Sequence, residues 1–275
     1  MRMMWRGITV SAALVLLAGA AGAAGPPSAP LTKCPVDAVV SGSTCMDKFE
    51  ASVWRIPNAT TTNASLVKKL QQGKATVALL AAGGATQLGV GFTDNYAPCA
   101  DSGQNCTDDI FAASLPGVLP SANVTWFQAQ AACENARKRL PSNAEWQAAV
   151  IGTPDPGPDN GTTDCKWTSA GTTVNTGSRS SCKSARGAFD LVGNVWEWVA
   201  DWLPHASGGV CATWSAGVSP TGDLQCLVGA ATTGEPGALI RGGSWNPSVN
   251  PGPLAIHSGV TPSTQVGDIG FRCAR

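Results

Sequence analysis

The sequence predicts an α+β domain in which a few short helices and strands are joined by long irregular segments. Three observations support this fold class: two capped helices in tandem, a stretch with the apolar alternation of a strand, and two long stretches rich in turn residues. The length of 275 residues allows one or two domains. We find no internal repeat of roughly 20–50 residues that would indicate a solenoid or propeller.

The two helices lie in VTWFQAQAACENARKRLPSNAEWQAAV, residues 124–150. Each begins with a capping box, because a hydroxyl residue is followed three positions later by Gln or Glu. Pro141 separates them, since a proline ends one helix and presets the backbone for the start of the next. The boxes pair Thr125 with Gln128 and Ser142 with Glu145.

The strand signal is an alternation around Met46, Phe49 and Val53. Residues 57–122 hold a short amphipathic helix candidate, ASLVKKLQQ, and a run rich in Gly and Ala. We interpret them as an insertion with few packing constraints, because Gly and Ala bury little side chain. The remaining stretches, 151–188 and 204–238, are dense in Gly, Pro, Ser and Thr, which predicts loops with short strands.

Residues 1–24 have the pattern of a secretory signal peptide. Arg2 and Arg6 precede a short apolar run, and small residues follow it up to Ala24. The run is too short for a spanning helix, although a retained anchor is the alternative. The pattern predicts a secreted or periplasmic protein without a membrane span after cleavage, with a linker at 25–33 and a domain at 34–275.

The charge balance argues against nucleic acid or an anionic membrane as a partner. The formal net charge is zero, and only 13% of residues are charged, where a soluble domain usually has roughly 25%. Ten tryptophans against one tyrosine indicate rigid buried anchors rather than a tyrosine-rich contact surface.

The ten cysteines predict disulfides. An even number after a signal peptide is typical of an oxidising compartment, and neither C-x2-C spacing nor a histidine cluster indicates a metal centre. Pairing of neighbours along the chain would leave Cys133 and Cys273 as a long-range pair, but spacing alone does not fix the connectivity. The neighbouring candidates are Cys34 with Cys45, Cys99 with Cys106, Cys165 with Cys182, and Cys211 with Cys226.

Four blocks stand in a recognisable order: RLPSNAEWQAAV (139–150), FDLVGNVWEWVADW (189–202), RGGSWN (241–246) and GFRCAR (270–275). In this order they resemble the formylglycine-generating enzyme, or sulfatase-modifying factor, family. CMDKFEAS (45–52) is similar to the family's opening strand, whereas 57–120 has no counterpart. The resemblance implies a single α+β domain related to C-type lectins, with two helices and short antiparallel strands.

The resemblance also implies a structural calcium ion at the second block. Its ligands would be a side-chain oxygen of Asp190, the carbonyls of Gly193 and Val195, and the carboxylate of Glu197. Such hard oxygen ligands suit calcium. In the alternative, Asp190 and Asn194 cap backbone groups and Glu197 pairs with an arginine.

The tryptophans of this block are expected to serve packing. Trp196 and Trp198 alternate with Glu197, so that in a strand they face away from its carboxylate and enter the core.

A further expectation follows from the resemblance. It implies a Cys133–Cys273 disulfide. The residues of RGGSWN themselves predict a strand with a Gly-Gly bend, where backbone passes close to backbone, and with Trp245 in the core. A candidate pocket comprises Arg241, Ser244, Trp245, Asn246 and His257.

One departure from the family bears on function. The family's oxidase holds copper with two cysteines between RGGSW and GFRC, and residues 246–269 of this chain contain none. Thiolates select soft Cu(I), so no copper is expected. We therefore expect a calcium-stabilised module that binds a protein, peptide or glycan, or acts as an accessory subunit. The alternative is an oxidoreductase of the same superfamily, of the pyoverdine-maturation type or with unrecognised catalytic residues.

Overall fold

A computed structural model of the chain describes residues 31–155, 159–168, 171–207, 211–231, 234–246 and 250–275. The predicted signal peptide and most of the predicted linker lie outside these residues. No helix within the described ranges is long and apolar enough to cross a membrane.

Four helices occur among the described residues. The two capped helices are present as predicted, and both capping boxes are formed. The amphipathic candidate is also a helix, with Leu66, Val67 and Leu70 buried. A further short helix was not predicted, because its six residues lie in the run rich in Gly and Ala; the Thr76 side chain caps it. The helices are α1 Ala64–Gln71, α2 Val77–Ala82, α3 Trp126–Asn135 and α4 Asn143–Val150.

Eleven strands in the described part of the chain form three small sheets, ordered β1-β2, β4-β3-β5 and β11-β6-β9-β10-β8-β7. The strands are β1 Ala38–Ser41, β2 Thr44–Asp47, β3 Ala51–Arg55, β4 Thr86–Leu88, β5 Ile110–Ser114, β6 Trp196–Leu203, β7 Ala212–Thr213, β8 Leu224–Cys226, β9 Gly237–Arg241, β10 Ile256–His257 and β11 Ile269–Phe271. Most pairs are antiparallel as expected, but β11 pairs with β6, and β10 with β8, in parallel.

The expectation that residues 57–122 have few packing constraints is wrong. Strand β5 pairs with all five residues of β3, which belongs to the opening segment of the domain. Leu80, Tyr96 and Phe111 are buried in the larger of two hydrophobic clusters, together with Trp198 of β6. Sparse large side chains among many small ones therefore converge on the main core, and the segment is an integral layer of the domain.

The predicted disulfides are confirmed. All ten cysteines are paired, each neighbouring pair as expected, and Cys133 of α3 bonds to Cys273, 140 residues away. A buried ion pair adds to this junction, since Lys138 donates to Asp37 and Asp47 at 2.8 and 2.7 Å. The segment that follows β11 is thereby fixed to α3.

Candidate functional site: a buried acidic cluster

The turn at residues 190–195 has an unusual backbone. Asp190, Gly193 and Asn194 all have positive φ, at 58°, 75° and 58°. Asp and Asn tolerate the left-handed region better than most residues. Gly193 has an additional reason, because a Cβ there would lie 2.3 Å from the carbonyl oxygen of Lys166. The sequence D-L-V-G-N thus allows a tight turn in which successive carbonyls change direction.

The two faces of β6 separate the tryptophans from the carboxylate, as predicted. Trp196 and Trp198 lie in the larger core cluster, and Trp198 Nε1 donates to the carbonyl of Val124 at 3.0 Å. Glu197 lies on the opposite face, where it accepts a hydrogen bond of 2.7 Å from Trp146 Nε1 of α4. The two indoles therefore pack on the core side of β6, and the Glu197 carboxylate lies on the opposite face of the strand.

The carboxylate of Glu197 is bound to Arg272, which follows β11. Arg272 Nε and Nη2 reach Glu197 Oε1 at 2.9 and 2.6 Å, and Nε also reaches Oε2 at 2.7 Å. Both side chains are buried. This is the arginine pair expected in the alternative interpretation of the sequence. Burial lowers the pKa of Arg272, but pairing with the Glu197 carboxylate outweighs burial and raises this pKa above its usual value.

Two further carboxyl groups lie beside this pair. Asp190 Oδ2 accepts from the Gly177 N–H at 2.6 Å, whereas its buried Oδ1 has no hydrogen-bond partner among the described residues. Glu50, just before β3, accepts from the side-chain amide of Asn194 at 2.5 Å and from the Val195 N–H at 3.2 Å. We call Glu50, Asp190, Glu197 and Arg272 the acidic cluster.

The acidic cluster holds three carboxyl groups and one guanidinium, all essentially buried. Burial raises the pKa of Asp190 to about 7, and the neighbouring Glu197 adds to the effect. Burial also raises the pKa of Glu50 well above its usual range, with Asp190 and Glu197 contributing. Buried charge of one sign is costly unless it is paired. The cluster therefore favours either protons or a bound cation.

The cluster fits the predicted calcium ligands only in part. Asp190 Oδ1 is a buried oxygen with an unused lone pair, which is what a hard cation requires. Glu197, in contrast, has both oxygens engaged by Arg272 and Trp146. Calcium at Asp190, Gly193, Val195 and Glu197 would require Glu197 to share an oxygen between the ion and these donors. The calcium site stays a prediction.

The block RGGSWN mainly connects neighbouring elements of the fold. Arg241 is buried, with its guanidinium 4.5 Å from the ring of Trp146, and it donates to the carbonyl of Ala255 at 2.6 Å. Ser244 donates to Asp268 at 3.1 Å. These contacts fasten β9 to α4 and to the segment before β11.

The remaining members of the candidate pocket point to different neighbours. Trp245 meets Phe92 edge-on with ring centroids 5.8 Å apart, and the Asn246 N–H donates to the Ser244 hydroxyl at 3.3 Å. His257 lies on β10 beside the Cys211–Cys226 disulfide. The five residues thus contact different neighbours, and a pocket formed by them stays a prediction.

A different surface forms an open cavity of about 420 Å³ at the end of β6. Trp202 is 41% exposed and lies edge-on to Trp126 and Phe127, at centroid distances of 5.0 and 5.6 Å. His205 and Glu235 supply polar groups to its wall. We call this surface the Trp202 cleft. An open apolar cleft with a few polar groups is typical of a binding site.

The sequence interpretation missed Glu50, the partner role of Arg272, and the Trp202 cleft. A single acidic residue between Phe49 and Ala51 was a signal for Glu50, since a charged residue inside a buried strand segment needs a partner. Nothing local indicated its partner, because Asn194 lies 144 residues away.

The turn, the capped helix pair and the cysteine-bearing C-terminal segment together define a formylglycine-generating-enzyme-like α+β domain. The chain belongs to the sulfatase-modifying factor enzyme 1-like domain family, whose model matches residues 46–275.

Curated relatives include the formylglycine-generating enzyme of Streptomyces coelicolor, 33% identical over 176 residues, which are 56% of this chain and 52% of that protein. The formylglycine-generating enzyme of Thermomonospora curvata is 28% identical over 176 residues, 56% and 55% of the two chains. The chain thus spans about half the length of these relatives.

Among solved structures, Treponema denticola variable protein 1 is similar with a TM-score of 0.45 and 16% identity, covering 86% of this chain and 85% of that one. PvdO from Pseudomonas aeruginosa is similar with a TM-score of 0.39 and 19% identity, covering 86% and 82%.

Proposed function

We propose that the protein is a secreted or periplasmic, calcium-stabilised binding or accessory module that does not generate formylglycine. One observation carries the proposal: residues 246–269, between RGGSW and GFRC, contain no cysteine. The ten cysteines elsewhere are paired in disulfides, so none supplies a free thiolate in the oxidised protein. Soft Cu(I) selects thiolates, and His257 as a single imidazole does not replace a dithiolate.

Calcium would be held by the Asp190 side chain, by the carbonyls of Gly193 and Val195, and by Glu197. Its chemical contribution is to balance buried negative charge. The ion would be structural, since it would stabilise the turn that precedes β6.

The Trp202 cleft is the surface we assign to binding. It combines an exposed indole with His205 and Glu235 around an open volume, which suits an extended peptide or a glycan. Trp202→Ala should therefore weaken binding, because it removes the exposed indole of the cleft.

An oxidoreductase is the second candidate, because curated relatives of 33% and 28% identity are formylglycine-generating enzymes. The two candidates differ in one measurable outcome. A peptide with the sulfatase-type sequence Cys-x-Pro-x-Arg is incubated with the copper-loaded protein under oxygen, and its mass is followed.

We expect no conversion of the peptide above a copper-only blank. A thermal melt of the same sample shows that the protein is folded, so that inactivity does not reflect misfolding. Conversion above the blank would overturn the proposal. Its loss in a Cys211→Ser, Cys226→Ser variant would then assign the activity to that pair.

A further inference from the structure

The Cys211–Cys226 disulfide differs from the other four in its exposure to solvent. Among the described residues, which include all ten cysteines, Cys211 is the only exposed half-cystine, whereas Cys226 is 3% exposed. Disulfide exchange requires an incoming thiolate to reach a sulfur atom. Cys211 offers such access, and the buried Cys99–Cys106 and Cys133–Cys273 pairs do not.

An imidazole lies against this disulfide. His257 Nε2 is 3.9 Å from Cys211 Sγ, and a ring nitrogen and both sulfurs lie within 4.8 Å of one another. Strand β10 holds the ring in place, since it pairs with both β8 and β9. Trp196 meets the ring edge-on at a centroid distance of 6.2 Å.

The tautomer of His257 decides what the imidazole can do. Its Nδ1 accepts a hydrogen bond of 2.8 Å from the Gly259 N–H, so in the neutral ring Nε2 carries the proton. Burial lowers the pKa of His257, which favours the neutral ring, and the nearby His205 adds to this. Nε2 therefore faces the sulfurs as a donor, which opposes metal ligation through that nitrogen and favours stabilisation of a thiolate.

The hairpin that carries the disulfide is held by other contacts as well. Strands β7 and β8 pair in antiparallel register, and the Trp214 N–H donates to the Asp223 carbonyl at 3.0 Å. Trp214 Nε1 donates to the Leu254 carbonyl at 2.9 Å, and the Asp223 carboxylate accepts from the Leu254 N–H at 2.6 Å. The disulfide can thus open and close without unfolding the hairpin.

We propose that Cys211, Cys226 and His257 form a thiol–disulfide exchange site whose substrate is an external thiol. The thiolate of that thiol attacks Cys211 Sγ and forms a mixed disulfide. The bond between the two cysteines breaks, and Cys226 leaves with the electron pair as a thiolate. The Nε2–H of His257 donates a hydrogen bond to that thiolate.

A second thiolate then attacks the external sulfur of the mixed disulfide and releases Cys211 as a thiolate. Two external thiols are oxidised to one disulfide, while the protein gains two electrons and two protons as a dithiol. An external disulfide reverses these steps. This activity goes beyond the proposed binding function and does not depend on it.

The test measures the opening of each disulfide separately. The oxidised protein is treated with reduced glutathione at pH 7.5, quenched with acid at intervals, alkylated, and mapped by peptide mass spectrometry. We expect Cys211 and Cys226 to be alkylated first, about tenfold faster or more than any other pair, because access controls the attack.

The His257→Phe variant keeps a ring against Trp196 but removes the N–H donor. Loss of a hydrogen bond to a charged group should slow the opening of the disulfide by about tenfold. His257→Gln places an amide N–H near the same position and should recover part of the rate. Lys69→Gln, a change at an exposed position of α1, is the control and should open at the wild-type rate.

The other four disulfides report on folding in every variant, since a loosened structure would speed all of them. Opening of another pair first would overturn the proposal. So would an equal or faster opening of Cys211–Cys226 in His257→Phe with the other four pairs unchanged.

Discussion

Two arginine–glutamate pairs differ in burial, and burial changes how much each pair contributes to the free energy of unfolding. Arg272 and Glu197 are buried, and Arg272 also donates to the carbonyls of Asp47 and Phe189, at 3.1 and 2.8 Å. Arg139, in contrast, has a side chain that is 45% exposed where it meets Glu145. The first pair joins three parts of the chain, whereas the second lies at the end of one helix.

We expect Arg272→Gln to lower the free energy of unfolding by about 3–5 kcal/mol, because it removes the guanidinium from a buried set of carboxyl groups. Arg139→Gln, which breaks the exposed pair, should cost no more than about 1 kcal/mol. Urea unfolding of both variants measures the difference. Equal losses would contradict the assignment of Arg272 as the charge partner of the cluster.

Glu145 gives a prediction about pH. Hydrogen bonds from Arg139, helped by Thr44 and the Ser142 N–H, lower the pKa of Glu145 to about 2, although partial burial opposes them. A lowered folded-state pKa contributes stability above the usual value of 4.5, and this stability is lost as the pH falls toward 2.

Glu145→Gln should therefore destabilise the protein by about 1 kcal/mol at pH 7, because it weakens a helix cap and removes an exposed ion pair. Near pH 2 the same change should have almost no effect on the free energy of unfolding. Urea unfolding of both proteins at several pH values checks this. A penalty that does not change with pH would contradict the ionised role of Glu145.

At the scale of elements, one long-range disulfide joins α3 to the segment that follows β11. The Cys133–Cys273 disulfide spans 140 residues, and the Cys99–Cys106 disulfide spans seven. In the chain-entropy description, the first stabilises by about 5 kcal/mol and the second by about 2 kcal/mol.

Replacing both members of each pair by alanine tests this order. The Cys133→Ala, Cys273→Ala variant should lose markedly more stability in urea than the Cys99→Ala, Cys106→Ala variant. Comparable losses would show that loop length does not decide the contribution of the α3 disulfide.

At the scale of the whole molecule, the sequence predicted the parts whose signals are local. Both capping boxes lie within three residues of their partners, and α3 and α4 begin where these boxes placed them. The disulfides followed from order along the chain together with the family resemblance. The positive φ values of the D-L-V-G-N turn suit the residues present.

Long-range packing was not predictable in the same way. The pairing of β5 with β3 crosses more than 50 residues rich in Gly and Ala, which carry no periodic signal. The parallel pairs arise from where the C-terminal strand docks, and the acidic cluster joins residues from both ends of the chain. Such contacts depend on the assembled fold rather than on any local pattern.

We propose that a divalent cation balances the buried acidic cluster, and thermal unfolding with calcium or with a chelator measures its effect. A bound ion stabilises by mass action, by about 2.7 kcal/mol when its concentration is a hundredfold above Kd. For a domain of this size that corresponds to a rise in Tm of roughly 5–10 °C. Asp190→Asn, which keeps the shape of the side chain but not its charge, should lose most of the rise.

We therefore predict a higher Tm in calcium than in chelator for the wild type and a much smaller difference for Asp190→Asn. Glu134→Gln, a change at a carboxylate on the exposed side of α3, serves as the control and should keep the full difference. The same Tm for the wild type in calcium and in chelator would contradict the claim and would leave protons as the balancing charge of the cluster.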